Sequence, residues 1–396
     1  MYLFEKKDEE LEKVADKLCF DENNMLLSDE DYHGYIIPLT ELNKMMNHLN
    51  TIYSSEFQKQ QNPLSRRPKI NFFGTLSFYK NTSQALKDVL DFLKEIDNDL
   101  YLYALRLFVG QEKDTINIYD LYSKEAQEQI KFGKLSHRSS NVGNECERKI
   151  FVVLDESLDS NIAEKIRNFI GSNKCTLRES ITLMHEISHC FDRNYNKITV
   201  NPEHITDPRF VAKYPPVVSF YLSETTAIFF ETIFAEHLAE KDPALQSSVD
   251  NLILSRICMN QLSVKRARAL SALVRIKEEK GYVPEGFLSH ITQKGVSETL
   301  RKDIISSHPL YQIRKYALSQ FFVPTMVKKY NEDKSLGKER IKKYLECCCN
   351  DDFDGALKAF DMDIQDKDTY NSMLDNYRDF IVKYREKNKP EPDIEL

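Results

Sequence analysis

Helical periodicity beyond residue 155 is the feature that most limits what this chain can fold into. Apolar residues recur there at the spacing of one face of an α-helix, and no internal repeat is visible. The pattern predicts a mainly α-helical protein. The predicted helices of this part cover residues 161–170, 177–191, 217–240, 245–279, 297–306, 310–330, 338–347, 355–360 and 367–387.

Residues 1–155 have a more varied pattern, which predicts helices together with short strands. The predicted elements are helices at residues 3–20, 40–59 and 82–96, a helix or strand at 100–109, strands at 116–121 and 150–154, and a mobile loop at 133–144. The proline-marked stretch at residues 62–68 indicates a domain boundary. We therefore expect an N-terminal helical segment at residues 1–68, a second domain at 69–390 and a disordered tail at 391–396.

The composition is typical of a globular protein with a substantial core. The 396 residues are 41% hydrophobic and 30% charged. The formal net charge of −7, without a basic stripe, predicts no nucleic-acid partner. No apolar run approaches the roughly 20 residues of a membrane span, so we expect no membrane partner either. We also expect a monomer.

Cysteine usage favours a reducing compartment. The eight cysteines include no C-x-x-C pair, and three of them stand in a row, which is a poor framework for disulfides. We expect mostly reduced thiols in the core and a cytoplasmic protein. The same pattern would suit a protein that is delivered unfolded into the cytosol of another cell.

The segment around residue 185 carries a pattern that is typical of a metal site. Thr176 and Glu179 predict a capping box at the start of a helix. That helix presents His185-Glu186-Ile-Ser-His189, in which both imidazoles lie on one face and can bind the same metal ion. Two neutral imidazoles and a carboxylate suit one zinc ion per chain, with a position left for water that Glu186 can reach. The alternative is a chance match between two ordinary helical histidines.

The third ligand is predicted on the helix at residues 217–240. Glu224 and Glu231 fall within a stripe of apolar residues at helical spacing, where carboxylates are costly to bury without partners. We assign Glu224 as the ligand and Glu231 as a carboxylate that orients a ligand imidazole from behind. An ordinary solvated helix edge is the alternative for both residues. Glu236 falls off the stripe, and we expect it to face solvent.

These residues resemble the zinc metallopeptidase family of oligoendopeptidase F, which includes the thimet oligopeptidases. The family's H-E-x-G-H helix matches residues 183–190, with Ser188 in place of glycine, and its E-x-x-S-x-x-x-E pattern matches residues 224–231, with Ala227 in place of serine. Residues 116–122, 133–144 and 149–155 resemble the family's strand, flexible loop and edge strand, in that order. The resemblance implies a helical gluzincin domain with a small edge β-sheet and a bowl-like architecture.

The resemblance also implies a reaction and further site residues. Family members place a histidine and tyrosines on a helix that closes over the substrate, and His308, Tyr311 and Tyr316 match that element. The expected reaction is hydrolysis of peptide bonds in peptides, with a zinc-activated water, Glu186 as general base, and His308 with Tyr311 or Tyr316 as donors to the oxyanion.

Two departures from the family keep other functions open. The long N-terminal helical lobe of the family is mostly missing, and the interval from His189 to Glu224 is longer than usual. A more open cleft would suit a specialised protease that cleaves one particular protein, including a protein of a host cell. Toxins that resemble anthrax lethal factor also combine H-E-x-x-H with a glutamate on a later helix. A third possibility is a catalytically degenerate module that binds peptides.

Overall fold

A computed structural model describes residues 37, 39–58, 78–108, 140–142, 149–151, 174–192, 195, 217–280 and 310–387. Helices dominate these residues, so the predicted mainly α class is confirmed for the described part of the chain. The helices are α1 (Leu39–Gln58), α2 (Thr82–Ile96), α3 (Asn98–Phe108), α4 (Leu177–Ser188), α5 (Val217–Lys241), α6 (Gln246–Lys280), α7 (Leu310–Glu332), α8 (Lys334–Cys349), α9 (Phe353–Lys358) and α10 (Lys367–Lys387). The strands are β1 (Phe78–Asn81), β2 (Ser140–Val142), β3 (Lys149–Phe151) and β4 (Lys174–Thr176).

Most predicted helices agree with the observed ones to within a few residues at each end. Helices α2 and α10 have the predicted bounds, and residues 100–108 of the ambiguous stretch at 100–109 are helical as part of α3. The elements predicted at residues 3–20, 116–121, 161–170 and 297–306, and the predicted tail at 391–396, lie outside the described residues.

The strands differ from the prediction in two places. Within the predicted loop at residues 133–144, Ser140–Val142 forms strand β2, which pairs antiparallel with β3. Strands β1 and β4 were not predicted, and they also pair antiparallel with each other, with an irregular register near Phe78. These strands are three or four residues long. Such short segments show little alternation, and cross-strand hydrogen bonds supply what the local pattern does not indicate.

Helices α5 and α7 pack against each other at the centre of the helical core. Helix α5 also contacts α4 and α6, and α7 also contacts α6 and α10. The stripe predicted on α5 is only part of its buried surface, since nearly every residue from 221 to 239 is buried. A helix that is apolar all round belongs in the interior of a protein. Two carboxylates of α5, those of Glu231 and Glu236, accordingly have their partners on neighbouring helices.

Helix α1 joins the same core from the N-terminal part of the chain. It packs against α6 and α10. Tyr53 donates a hydrogen bond to Cys258 Sγ (3.4 Å), and Arg385 Nη1 donates to the Glu56 carboxylate (3.0 Å). The domain boundary at residues 62–68 lies outside the described residues, and the division into domains stays a prediction.

The described residues also test what the sequence predicts about membrane spans and about the state of the cysteines. None of the described helices combines the length and the apolar content that crossing a bilayer requires. The sequence predicts reduced thiols, and five cysteines in the described part of the chain are free: Cys190, Cys258, Cys347, Cys348 and Cys349.

Candidate metal centre

The helix that carries the two predicted histidine ligands begins at a capping box. Glu179 N donates a hydrogen bond to the Thr176 side chain (3.1 Å), and Thr176 N donates one to the Glu179 carboxylate (2.7 Å). These bonds satisfy N–H groups that have no partner within the helix. The predicted capping box is confirmed. It sets where α4, the helix that carries His185 and His189, begins.

His185, His189 and Glu224 come together where α4 packs against α5. His185 Nε2 lies 3.6 Å from Glu224 Oε2, and His189 Nε2 lies 3.9 Å from Glu224 Oε1. One ligand atom from each of the three residues lies within 4.8 Å of the other two. The structure brings together the three side chains that the sequence predicts as metal ligands.

The distances and the burial of this group fit a zinc ion. Ligand atoms on one tetrahedral zinc ion, with bonds near 2.0–2.1 Å, lie about 3.3 Å apart, so small side-chain adjustments would suffice. Glu224 Oε2 is buried and accepts no hydrogen bond from the described residues. Burying such an oxygen is costly unless a cation binds it.

The charges around the three side chains favour a divalent cation. The carboxylates of Glu186, Glu224 and Glu231 all act on His185, and Arg256 lies against Glu231. Three carboxylates and one guanidinium give this group a formal charge of −2 when both imidazoles are neutral. Neutral imidazoles are the form that binds zinc, and a zinc ion would balance that charge.

Glu186 is buried beside the ligand group. Glu186 is the next residue after His185 on α4, and it is only 5% exposed. Its negative charge contributes to raising the pKa of His185 and that of Tyr316, so the carboxylate acts electrostatically on both side chains. This position suits a group that exchanges protons with a molecule bound at the three ligands.

Glu231 lies behind His185, on the side away from the other two ligands. Its Oε2 atom is 2.7 Å from His185 Nδ1. The same carboxylate accepts two hydrogen bonds from Arg256, from Nε to Oε1 and from Nη2 to Oε2, both 2.7 Å long. This is the contact expected of a carboxylate that orients a ligand imidazole.

The protonation states of Glu231 and His185 determine which ring nitrogen of His185 donates a hydrogen bond. Burial alone would raise the pKa of Glu231, but the charge of Arg256 and the contact with His185 lower it to about 2. Burial alone would lower the pKa of His185, and the hydrogen bond and charge of Glu231 raise it on balance. Because Glu231 is ionised, His185 Nδ1 donates, and in the neutral imidazole the Nε2 lone pair is left for a metal.

Tyr316 is the predicted oxyanion donor that the structure places at this site. The negative charge of Glu224 and burial together raise its pKa far above the ordinary value, so the hydroxyl keeps its proton and can donate. Tyr311 lies in the first turn of α7, five residues before Tyr316. His308 lies outside the described residues. The contributions of Tyr311 and His308 stay predictions.

Two charged residues near α5 differ from what the sequence led us to expect. Glu236 does not face solvent: its side chain is 14% exposed and binds Lys383, Tyr384 and Asn331. The expectation was wrong because α5 is buried on more than one side. Arg256 was not singled out at all. The sequence does contain an indication of its role, because Arg256 stands alone between the apolar residues 252–254 and 257–259. A cation buried among apolar residues requires a carboxylate partner.

Comparison with protein-family models, curated proteins and solved structures found no match to this chain. The resemblance to oligoendopeptidase F therefore stays a prediction from the residues that carry it.

Proposed function

We propose that this chain is a zinc-dependent endopeptidase that hydrolyses peptide bonds in peptides. The convergence of His185, His189 and Glu224 within 4.8 Å carries the proposal, because it joins two segments that are distant in sequence. The resemblance to oligoendopeptidase F supports the choice of peptides as substrates. It also supports a gluzincin domain of bowl-like architecture as the proposed fold. The free thiols favour a reducing, cytosolic compartment.

His185, His189 and Glu224 are the proposed zinc ligands. A zinc ion bound by them would supply Lewis acidity, which polarises a carbonyl group and lowers the pKa of a water molecule to about 7. Glu231 holds His185 in the tautomer that directs Nε2 toward the other two ligands. One carboxylate and two imidazoles leave a fourth position, as catalytic zinc sites require.

Glu186 and Tyr316 are the proposed proton-transfer and oxyanion-binding groups. The Glu186 carboxylate takes a proton from the attacking water molecule and later gives it to the nitrogen of the leaving amine. The Tyr316 hydroxyl, which keeps its proton beside Glu224, donates a hydrogen bond to the carbonyl oxygen as negative charge develops on it. Tyr311 and His308 are further candidates for this second role from the resemblance alone.

The test combines metal analysis with cleavage profiling of the wild type and Glu186→Gln. We expect one zinc ion per chain in both proteins, because Glu186 is not a proposed ligand. We expect cleavage of a mixed peptide library by the wild type, detected by mass spectrometry, and a value of kcat in the variant that is lower by about 10²–10⁴-fold. The variant also controls for contaminating proteases, since both proteins are purified in the same way.

Other outcomes would point to other functions. A wild-type protein that binds no zinc would contradict the proposal. Zinc binding without cleavage of any peptide or protein would instead favour the peptide-binding module. Cleavage of one folded protein, with slow turnover of all short peptides, would favour the specialised protease and would retain the roles proposed for the site residues.

A further inference from the structure

Arg256 connects a third helix to the candidate metal centre. It lies on α6, whereas Glu231 lies on α5 and His185 on α4. Its Nε and Nη2 atoms each donate a 2.7 Å hydrogen bond to a different oxygen of Glu231. The side chain of Arg256 is 27% exposed and that of Glu231 only 9%. The interaction is therefore largely shielded from water.

The two-pronged contact fixes the plane of the Glu231 carboxylate. Two parallel N–H donors from a rigid guanidinium hold both oxygens, so the carboxylate cannot rotate about its terminal bond without losing one of them. Oε2 lies 2.7 Å from Arg256 Nη2 and also 2.7 Å from His185 Nδ1. The orientation of the imidazole therefore depends on an atom whose position Arg256 determines.

We propose that Arg256 is a positioning residue for the metal centre, acting through Glu231 on His185. By fixing Oε2, it holds the imidazole ring so that Nε2 faces Glu224 and His189. The inference rests on the proposed function, because it assumes that these three side chains bind zinc. It assigns Arg256 no contact with metal or substrate, and its effect is on the affinity of the site for zinc.

A similar pair elsewhere in the molecule offers a matched control. Arg385 on α10 donates to the Glu56 carboxylate on α1 (3.0 Å), with side-chain exposures of 12% and 4%. Both pairs are buried arginine–glutamate contacts between two helices. Glu56, however, contacts a second arginine, Arg378 (3.8 Å), whereas Glu231 contacts the proposed zinc ligand His185 (2.7 Å). Loss of Arg385 should affect the stability of the fold and leave zinc affinity unchanged.

The experiment measures zinc affinity of the full chain by competition with a chromophoric chelator. The variants are Arg256→Met, Arg256→Lys, Glu231→Gln, the double variant of Arg256→Met with Glu231→Gln, and Arg385→Met. Thermal unfolding of each zinc-free protein is recorded in parallel. Removing a group that orients a metal ligand typically weakens metal binding about 10–100-fold, and we expect Arg256→Met to fall in that range.

The double variant separates positioning from a general structural effect. If Arg256 acts through Glu231, then Arg256→Met should cause no further loss of zinc affinity once Glu231 is glutamine. Arg256→Lys should be intermediate, because an ammonium group keeps the charge and loses the two-pronged geometry. If Arg256→Met did not fold, the zinc affinity of Arg256→Lys would still test the inference.

Three results would overturn the inference: wild-type zinc affinity in Arg256→Met, an equal loss in Arg385→Met, or losses that multiply in the double variant. Failure of the proposed function gives different results. A wild-type chain that binds no zinc overturns both proposals. A chain that binds zinc and cleaves nothing overturns the peptidase proposal alone, and the affinity measurements then still decide the role of Arg256.

Discussion

Glu231 and Glu236 lie five residues apart on α5, and both carboxylates are largely buried. Glu231 contacts His185 on α4 and Arg256 on α6. Glu236 contacts Lys383 and Tyr384 on α10 and Asn331 on α7. In both cases burial would raise the pKa of the carboxyl group, and the neighbouring cation lowers it on balance. The two groups therefore resemble each other in charge and in burial.

Their partners differ in what they can do. Beyond Glu231 lies a pair of imidazoles facing Glu224, whose Oε2 accepts no hydrogen bond from the described residues. Around Glu236, donors from two helices occupy both oxygens, and the contacts join α5 to α7 and α10. A satisfied buried network rigidifies a core, whereas an unsatisfied oxygen beside two imidazoles indicates a binding site. Burial alone does not distinguish the two roles, and the remaining hydrogen-bonding capacity does.

Two tyrosines give the largest expected contrast between these regions. Tyr316 lies against Glu224, and Tyr384 donates to Glu236. Tyr316→Phe should lower kcat about 10²–10³-fold, as for loss of one oxyanion donor. Tyr384→Phe should leave kcat unchanged and lower the free energy of unfolding by about 1.5–3 kcal/mol, because it removes a hydrogen bond to a charged group. Peptide cleavage kinetics and urea unfolding of both variants measure this contrast.

Each tyrosine variant serves as the control for the other, since both lose only a hydroxyl group from a largely buried ring. Equal losses of kcat in the two proteins would show that the region around Glu236 also contributes to the reaction. A stability loss in Tyr316→Phe without a change in kcat would remove Tyr316 from the proposed mechanism.

The two glutamates themselves provide a second, smaller contrast. Glu231→Gln should weaken zinc binding about 10–100-fold, because glutamine cannot accept all three hydrogen bonds that the carboxylate accepts. Glu236→Gln should leave zinc affinity unchanged and lower the free energy of unfolding by about 1–3 kcal/mol. Chelator competition and urea unfolding, both on the full chain, supply the two measurements. Weaker zinc binding in Glu236→Gln would show that the two regions are coupled through α5.

The predictable part of the site is the part that depends on local spacing. His185 and His189 are one turn apart, and Glu224 and Glu231 are two turns apart, so helical geometry alone places each pair on one face. The capping box follows the same logic, because its two hydrogen bonds join residues three positions apart. For the same reason, most helices of the described chain could be predicted from their periodicity.

The unpredicted part depends on packing between distant segments. The contact of Arg256 with Glu231 exists because α6 packs beside α5, and no local pattern indicates which helices become neighbours. Glu236 was expected at the surface because its position lies off one apolar stripe. That expectation assumes a helix with one buried face, and α5 is buried on several faces. The short strands likewise depend on partners that are far apart in the sequence.

The pH dependence of stability gives the smallest contrast and tests the ion pair of Glu236 directly. Lys383, Tyr384 and Asn331 lower the pKa of Glu236 in the folded state, despite its burial. A carboxyl group whose pKa is lower in the folded than in the unfolded state stabilises the protein above its unfolded pKa of about 4.3. This stabilisation is lost as the pH falls through the folded pKa. The free energy of unfolding of the wild type, minus that of Glu236→Gln, should therefore be constant between pH 7 and about pH 5 and should shrink below that range.

Urea unfolding of the zinc-free proteins at several pH values measures this difference, because carboxyl groups common to both proteins cancel in the subtraction. Chelation of zinc keeps protonation of His185 and His189 from contributing through loss of the metal. A difference that grows as the pH falls would mean that folding raises the pKa of Glu236 and so favours its neutral form. The resemblance of Glu236 to Glu231 would then be limited to burial.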